Sequence, residues 1–183
     1  MKPNTYITSD IHFYHKNILT FCAASRPYSN VDEMNERIIK NWNDLISPID
    51  TVYILGDIAF ASADTSARIM NRCHGRKILI EGNHDIKLLR DATFRNCFDE
   101  IHTYLEIGYN DHRLVLFHYP IWEWDSMYRG SIHFHGHCHG RPTGIDGRIM
   151  DVSMDRNDCT PYLLDDVVLQ MARLPVRNFL QRK

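Results

Sequence analysis

Nowhere in this chain of 183 residues does an apolar run approach the ~20 residues that a bilayer-spanning helix needs. A membrane-embedded role is therefore not expected. Cysteine is scarce and scattered. Cys22, Cys73, Cys97, Cys138 and Cys159 stand singly, an odd set with no framework spacing. That excludes a disulfide-stapled domain and leads to an expectation of reduced thiols in the cytoplasm. The opening MKPNTYITSD has no apolar signal core, which agrees with that expectation. An excess of charge is missing too. Lys and Arg number 21 against 23 Asp and Glu, a formal net charge of −2, so no bulk basic field or strong nucleic-acid-binding patch is expected. Repeats, low-complexity segments and linkers are also lacking. One domain over residues 1–183 is expected, long enough to bury roughly 70% of its unfolded surface.

What the chain does have is histidine, 11 residues of it, with four at alternate positions in SIHFHGHCHGR at 131–141. In a strand, His133, His135, His137 and His139 would share one face, which is costly unless something binds them. Similar polar chemistry follows other short, β-branched-rich runs. YIT at 6–8 leads into SDIH, TVYIL at 51–55 into Gly56–Asp57, KILI at 77–80 into EGNHD, and LVLF at 114–117 into His118. Such runs read as buried strands. Each polar set then lies past a strand's C-terminal end, where open α/β sheets place their ligands. Between them, Asn30 with Glu33 forms a capping signal for an amphipathic helix over 31–46, ended by Pro48. A shorter helix is expected over 64–73, a hairpin from 101–107 and 112–117, a late strand at 149–154, and helix or strand at 163–174. The pattern predicts an α/β fold with a partly mixed sheet.

The strand ends deliver Asp10, His12, Asp57, Asn83, His84, His118 and members of the histidine run. Carboxylate, imidazole and amide groups suit Mn, Fe, Zn, Co or Ni better than Ca or Mg. The donors exceed the needs of one ion, and paired ions are a standard device for attack on phosphorus.

In this order, Asp10–Ile11–His12, Gly56–Asp57, Gly82–Asn83–His84–Asp85, His118 and Gly136–His137–Cys138–His139 resemble the motifs of the calcineurin-like metallophosphoesterases. SRPYSNVDEMNERIIKNWN and HYPIW resemble those of a branch of small single-domain bacterial and phage members. The resemblance implies two mixed β-sheets packed as a sandwich and flanked by helices, a four-layer α/β/β/α arrangement. It implies that Asp10, His12, Asp57 and His139 bind one divalent ion and Asp57, Asn83, His118 and His137 a second, with manganese the favoured metal. A hydroxide between the metals would attack phosphorus. His84 would donate to a phosphoryl oxygen or protonate the leaving group, and Asp85 would orient a neighbouring imidazole.

Within this scheme Gly136 breaks the strand alternation, so His137 and His139 reach different metals while His133 and His135 stay in or near the core. For substrate, Arg141 is the preferred phosphate-binding cation, with Arg26 and Arg129 as alternatives. His15 is either a surface residue or an outer contact to substrate. Trp122, Trp124 or Tyr128 would stack a nucleobase, the alternatives being core packing or a homodimer contact. Asp151 and Asp155 read as late-loop surface acids. The expectation is a hydrolase, a phosphodiesterase acting on a nucleotide-like or nucleic-acid-end substrate in preference to a phosphomonoesterase. A non-catalytic binding module on the same scaffold is the rival from another class.

Overall fold

The computed structural model describes residues 2–178. In chain order the elements are β1 (Thr5–Thr8), α1 (Ile18–Phe21), α2 (Val31–Leu45), β2 (Thr51–Ile54), α3 (Ala63–Met70), β3 (Arg76–Ile80), α4 (Ala92–Arg95), β4 (Glu100–His102), β5 (Tyr104–Tyr109), β6 (His112–Phe117), β7 (Ile132–His135), β8 (Ile149–Asp151), β9 (Tyr162–Leu163) and α5 (Leu164–Ala172). No helix of the described residues is long and apolar enough to cross a membrane.

The strands form two mixed sheets, β4-β3-β2-β1-β9 and β5-β6-β7-β8. β1 to β4 run parallel and β9 antiparallel. In the second sheet β6, β7 and β8 are parallel, with β5 antiparallel at the edge. Alternating side chains explain the layering. Tyr6, Val52, Ile54 and Leu79 pack beneath α2 and α3 through Met34, Ile38, Trp42, Ile69 and Met70. Their sequence neighbours Ile7, Leu55 and Ile80 face Leu114, Leu116, Ile132 and Phe134 of the second sheet. Val115 turns outward to Trp124 and Met127. The result is the expected sandwich flanked by helices, with α5 closing the inter-sheet core through Leu164, Val167, Val168 and Met171.

The cap of α2 is as its sequence predicts: Asn30 Oδ1 accepts from Glu33 N at 2.9 Å. Glu33 closes the turn onto Ser29 N at 2.9 Å instead of onto Asn30. The expected strand at 101–107 is two strands in different sheets. Ile101 pairs with Leu79 in the first, and the chain crosses at Thr103 to pair Leu105 with Leu116 in the second. Alternation runs unbroken through that crossing, so periodicity cannot reveal it. The segment 163–174 resolves as the short β9 followed by α5, and the late strand ends at Asp151 before a 3-10 turn at Met154–Arg156.

Candidate metal centre

The C-terminal ends of β1, β2, β3, β6 and β7 meet along one edge of the sandwich and deliver Asp10, His12, Asp57, Asn83, His84, His118, His137 and His139. Asp10, His12, Asp57, His137 and His139 all have left-handed backbone, with φ between 49° and 66°. Each such non-glycine residue costs about 1–3 kcal/mol and persists only where its surroundings over-determine it. Here they do. Asp10 N donates to Gly56 O and His12 N to Asp57 O, both at 3.0 Å, and His137 N donates to Asp10 Oδ2 at 2.8 Å. Close approach completes the joint. A Cβ on Gly136 would stand 1.9 Å from Ser9 Oγ and 2.3 Å from Asp10 Oδ2, so only glycine lets β7's exit loop close on β1's.

The first donor cluster is Asp10, His12 and His139. Asp10 Oδ1 is buried with no hydrogen-bond partner. It faces His12 Nε2 at 3.6 Å and His139 Nε2 at 3.4 Å, and the two imidazole nitrogens are 3.2 Å apart. His139 Nδ1 donates to Asp155 Oδ2 at 2.7 Å, so its Nε2 presents a lone pair to the cluster. Burial alone would raise the Asp10 pKa, but the imidazoles of His12 and His139 beside it outweigh burial and hold it at about 2. Burial pushes His12 down, favouring the neutral ligand form. His139 Nε2 and Asp10 Oδ1 thus turn lone pairs toward one point, and with His12 beside them this donor set fits a divalent cation.

The second cluster is Asp57, His118 and His137, with Asn83 beside it. His118 Nδ1 donates to Leu55 O at 2.6 Å, leaving Nε2 to face Asn83 Oδ1 at 2.9 Å and Asp57 Oδ2 at 3.6 Å. His137 Nδ1 lies 3.1 Å from the same Asn83 oxygen. His118 Nε2 and Asn83 Oδ1, both acceptors, therefore face each other. Asp57 Oδ2 also stands 3.9 Å from His12 Nε2, so one carboxylate oxygen looks onto both clusters.

His84 Nε2 also stands 3.9 Å from Asp57 Oδ2, on the cleft side and outside both clusters. Its amide donates to Asp57 Oδ1 at 2.9 Å, its ring packs 4.6 Å from Phe60, and its side chain is 46% exposed to the cleft. Asp85 corrects an expectation. Its carboxylate accepts from Asp57 N at 2.7 Å, Ile58 N at 2.9 Å and Gly82 N at 3.0 Å, and so holds the backbone under Asp57 and not an imidazole. Burial raises its pKa to about 7 despite those three amides.

A cleft of about 460 Å³ opens over the site, lined by His12, His15, Asp57, His84, His137, His139, Ile18, Phe21, Cys22 and Arg141. Arg141 and His15 therefore stand where a substrate contact would. Arg26 does not. It is 1% exposed, forks onto both oxygens of Asp155, and donates to Asp10 O at 2.6 Å and Ile11 O at 2.9 Å. Asp155 is likewise no surface acid. Arg26, His139 and Ser25 surround it, and although burial opposes ionisation these partners hold its pKa far below the carboxylate range. Trp122 lies outside the cleft under the Arg177 guanidinium, 4.9 Å from its ring centroid. Trp124 is buried against Val115 and Met127, with Tyr128 packed beside them, so none of the three lines the site. Arg129 lies in a separate depression with Arg113 and Arg148. The aromatic groups that do border the centre are Phe60, 5.3 Å from the His12 ring, and Tyr119, 4.7 Å from His137. Only their positions next to Asp57 and His118 in the sequence hinted at them.

The sequence of an uncharacterised protein, MJ1445 of Methanocaldococcus jannaschii, is 36% identical over 136 residues, covering 73% of this chain and 68% of that protein. The gene 66 protein of Mycobacterium phage L5 is 29% identical over 165 residues, covering 74% of this chain and 77% of its own. The crystal structure of AQ665, a protein of unknown function from Aquifex aeolicus, superposes with a TM-score of 0.73 at 26% identity, covering 92% of this chain and all of that one. No protein-family model matches.

Proposed function

The chain belongs to the same family as the uncharacterised protein MJ1445 of Methanocaldococcus jannaschii, and from that premise we propose that it is a dinuclear metal-dependent phosphoesterase, acting on diesters. The observation that carries this reading is Asp57 Oδ2. It faces His12 of one cluster and His118 of the other, at 3.9 and 3.6 Å. One ion would be held by Asp10, His12, Asp57 and His139, and the other by Asp57, Asn83, His118 and His137. Divalent ions there, manganese the favoured pair, offset charge on phosphoryl oxygens and make water nucleophilic at neutral pH.

The chain's own residues supply the rest. Asp155 and Leu55 O fix the tautomers of His139 and His118, so both present Nε2 inward. His84, its backbone held by the amide contact to Asp57 and its ring half open to the cleft, would donate to a phosphoryl oxygen or protonate the leaving oxygen. Among the described residues no second domain covers the cleft, which leaves room for both limbs of a diester.

Hydrolysis of bis-p-nitrophenyl phosphate and p-nitrophenyl phosphate with Mn²⁺ tests the proposal. The diester is expected to be preferred, and His84→Asn to lower kcat about 10²–10⁴-fold. A strong preference for the monoester overturns the diesterase reading. No stimulation by any divalent ion overturns the catalytic reading in favour of a binding module, and full turnover by His84→Asn overturns the role given to His84.

A further inference from the structure

The cleft is bordered by residues outside the donor clusters as well, among them His15, Ile18, Phe21, Cys22 and Arg141. His84, His15 and Phe21 border it, and Phe60 packs between His84 and His15. His84 lies 4.6 Å from Phe60, Phe60 3.9 Å from His15, and His15 6.2 Å from Phe21, centroid to centroid. Phe21 ends the single turn of α1. Ile18 is buried and anchors that turn, while Phe21 is 72% exposed where it borders the cleft. Isolated exposed aromatics are ordinary, but this one lines the same cleft as the donors. Arg141 borders the same cleft. Its Nε donates to Cys138 O at 3.1 Å.

We propose that Phe21, His15 and Arg141 form a subsite for a nucleobase carried on one ester limb of the substrate. The inference rests on the phosphoesterase reading and names its substrate class. A flat ring can stack on Phe21 and be covered or hydrogen-bonded by a guanidinium, which both stacks and donates in a plane. A sugar limb would need several polar partners, and Ile18, Phe21 and Cys22 supply almost none. An alkyl limb would leave Arg141 unused. A volume of about 460 Å³ suits a nucleotide-sized group. The net charge of −2 gives no track for a long polyanion.

Calorimetric titration of the Mn²⁺-loaded protein with adenosine 5′-monophosphate and with ribose 5-phosphate tests this, with hydrolysis of bis-p-nitrophenyl phosphate followed in parallel. The nucleotide should bind at least about tenfold more tightly, the gain expected of one stacked base. That ratio should fall toward one in Phe21→Ala and Arg141→Ala and survive in Phe21→Tyr. Equal binding of the two ligands, no binding of the nucleotide, or a ratio indifferent to both alanine variants overturns the subsite. Loss of hydrolysis with the ratio intact counts against the phosphoesterase reading and leaves the subsite standing.

Discussion

Asp155 Oδ2 accepts a hydrogen bond from His139 Nδ1 at 2.7 Å, and the same carboxylate is gripped by the Arg26 guanidinium. Arg26 in turn binds the main-chain oxygens of Asp10 and Ile11. One buried guanidinium therefore joins the residue that orients His139 to the left-handed turn that carries Asp10. Asp155→Asn removes the charge that fixes His139 and leaves Arg26 less fully paired. It should weaken Mn²⁺ binding about 10–100-fold, the usual effect of losing such a partner. Asp155→Ala should also destabilise the fold by about 3–5 kcal/mol, because it strands a buried guanidinium. Calorimetric Mn²⁺ affinity and urea unfolding measure the two effects. Affinity within twofold of wild type in Asp155→Asn would refute the orienting role.

Both the strands and the donors were legible in the sequence, because each donor follows a short apolar run at once. Asp10, Asp57 and His118 need no tertiary information to be placed at strand ends. The Arg26–Asp155 pair was not legible, since 129 residues separate its members and neither carries a periodic signal. By residue type alone Arg26 is one of several candidate phosphate cations and Asp155 a surface acid. Trp122 and Trp124 misled for a related reason. Aromatic content does not say which face a loop presents, and that loop turns its rings toward Val115 and Arg177 while offering only Tyr119 to the site.

His133 is the core member of the histidine run. Its Nδ1 donates to Val115 O at 3.0 Å and its Nε2 accepts from Ile121 N at 3.1 Å, so the neutral ring ties the loop after β6 to β7. Burial lowers its pKa from 6.5 to about 4. As pH falls the unfolded chain takes up this proton first. The stabilisation is complete above pH 6.5 and is lost between pH 6.5 and 4. At 1.36 kcal/mol per unit the whole effect is about 3 kcal/mol. His133→Gln should cost stability at pH 7.5, and the gap to wild type should shrink by that amount toward pH 4. Urea titrations across this range would disprove the assignment if the gap stayed constant.

Gly136 is where the two loops meet. The nearest atom to an added Cβ is Ser9 Oγ, itself bonded to Asp10 Oδ2 and Leu55 O. Gly136→Ala should therefore cost about 1–3 kcal/mol by overpacking and displace Asp10, lowering Mn²⁺ affinity as well. Ser9→Ala in the same chain should relieve only part of this, since Asp10 Oδ2 would still lie 2.3 Å away. Thermal unfolding with and without Mn²⁺ separates the two losses. Wild-type behaviour of Gly136→Ala would mean the contact is not needed.

The last prediction concerns the unpartnered oxygen of Asp10. A cation that binds the folded chain only should stabilise it by RT ln(1 + [L]/Kd), about 2.7 kcal/mol at a hundred times Kd. Mn²⁺ should therefore raise Tm by several degrees, and a chelator should reverse the rise. Asp10→Asn removes one anionic donor and should shrink the increment, since Asp10 Oδ1 faces both His12 and His139. Asp57→Asn should remove most of the increment, since its oxygen faces both clusters. A Tm independent of Mn²⁺ in the wild-type chain would leave the converging nitrogens and the orphaned carboxylate oxygen without a cation to reconcile them.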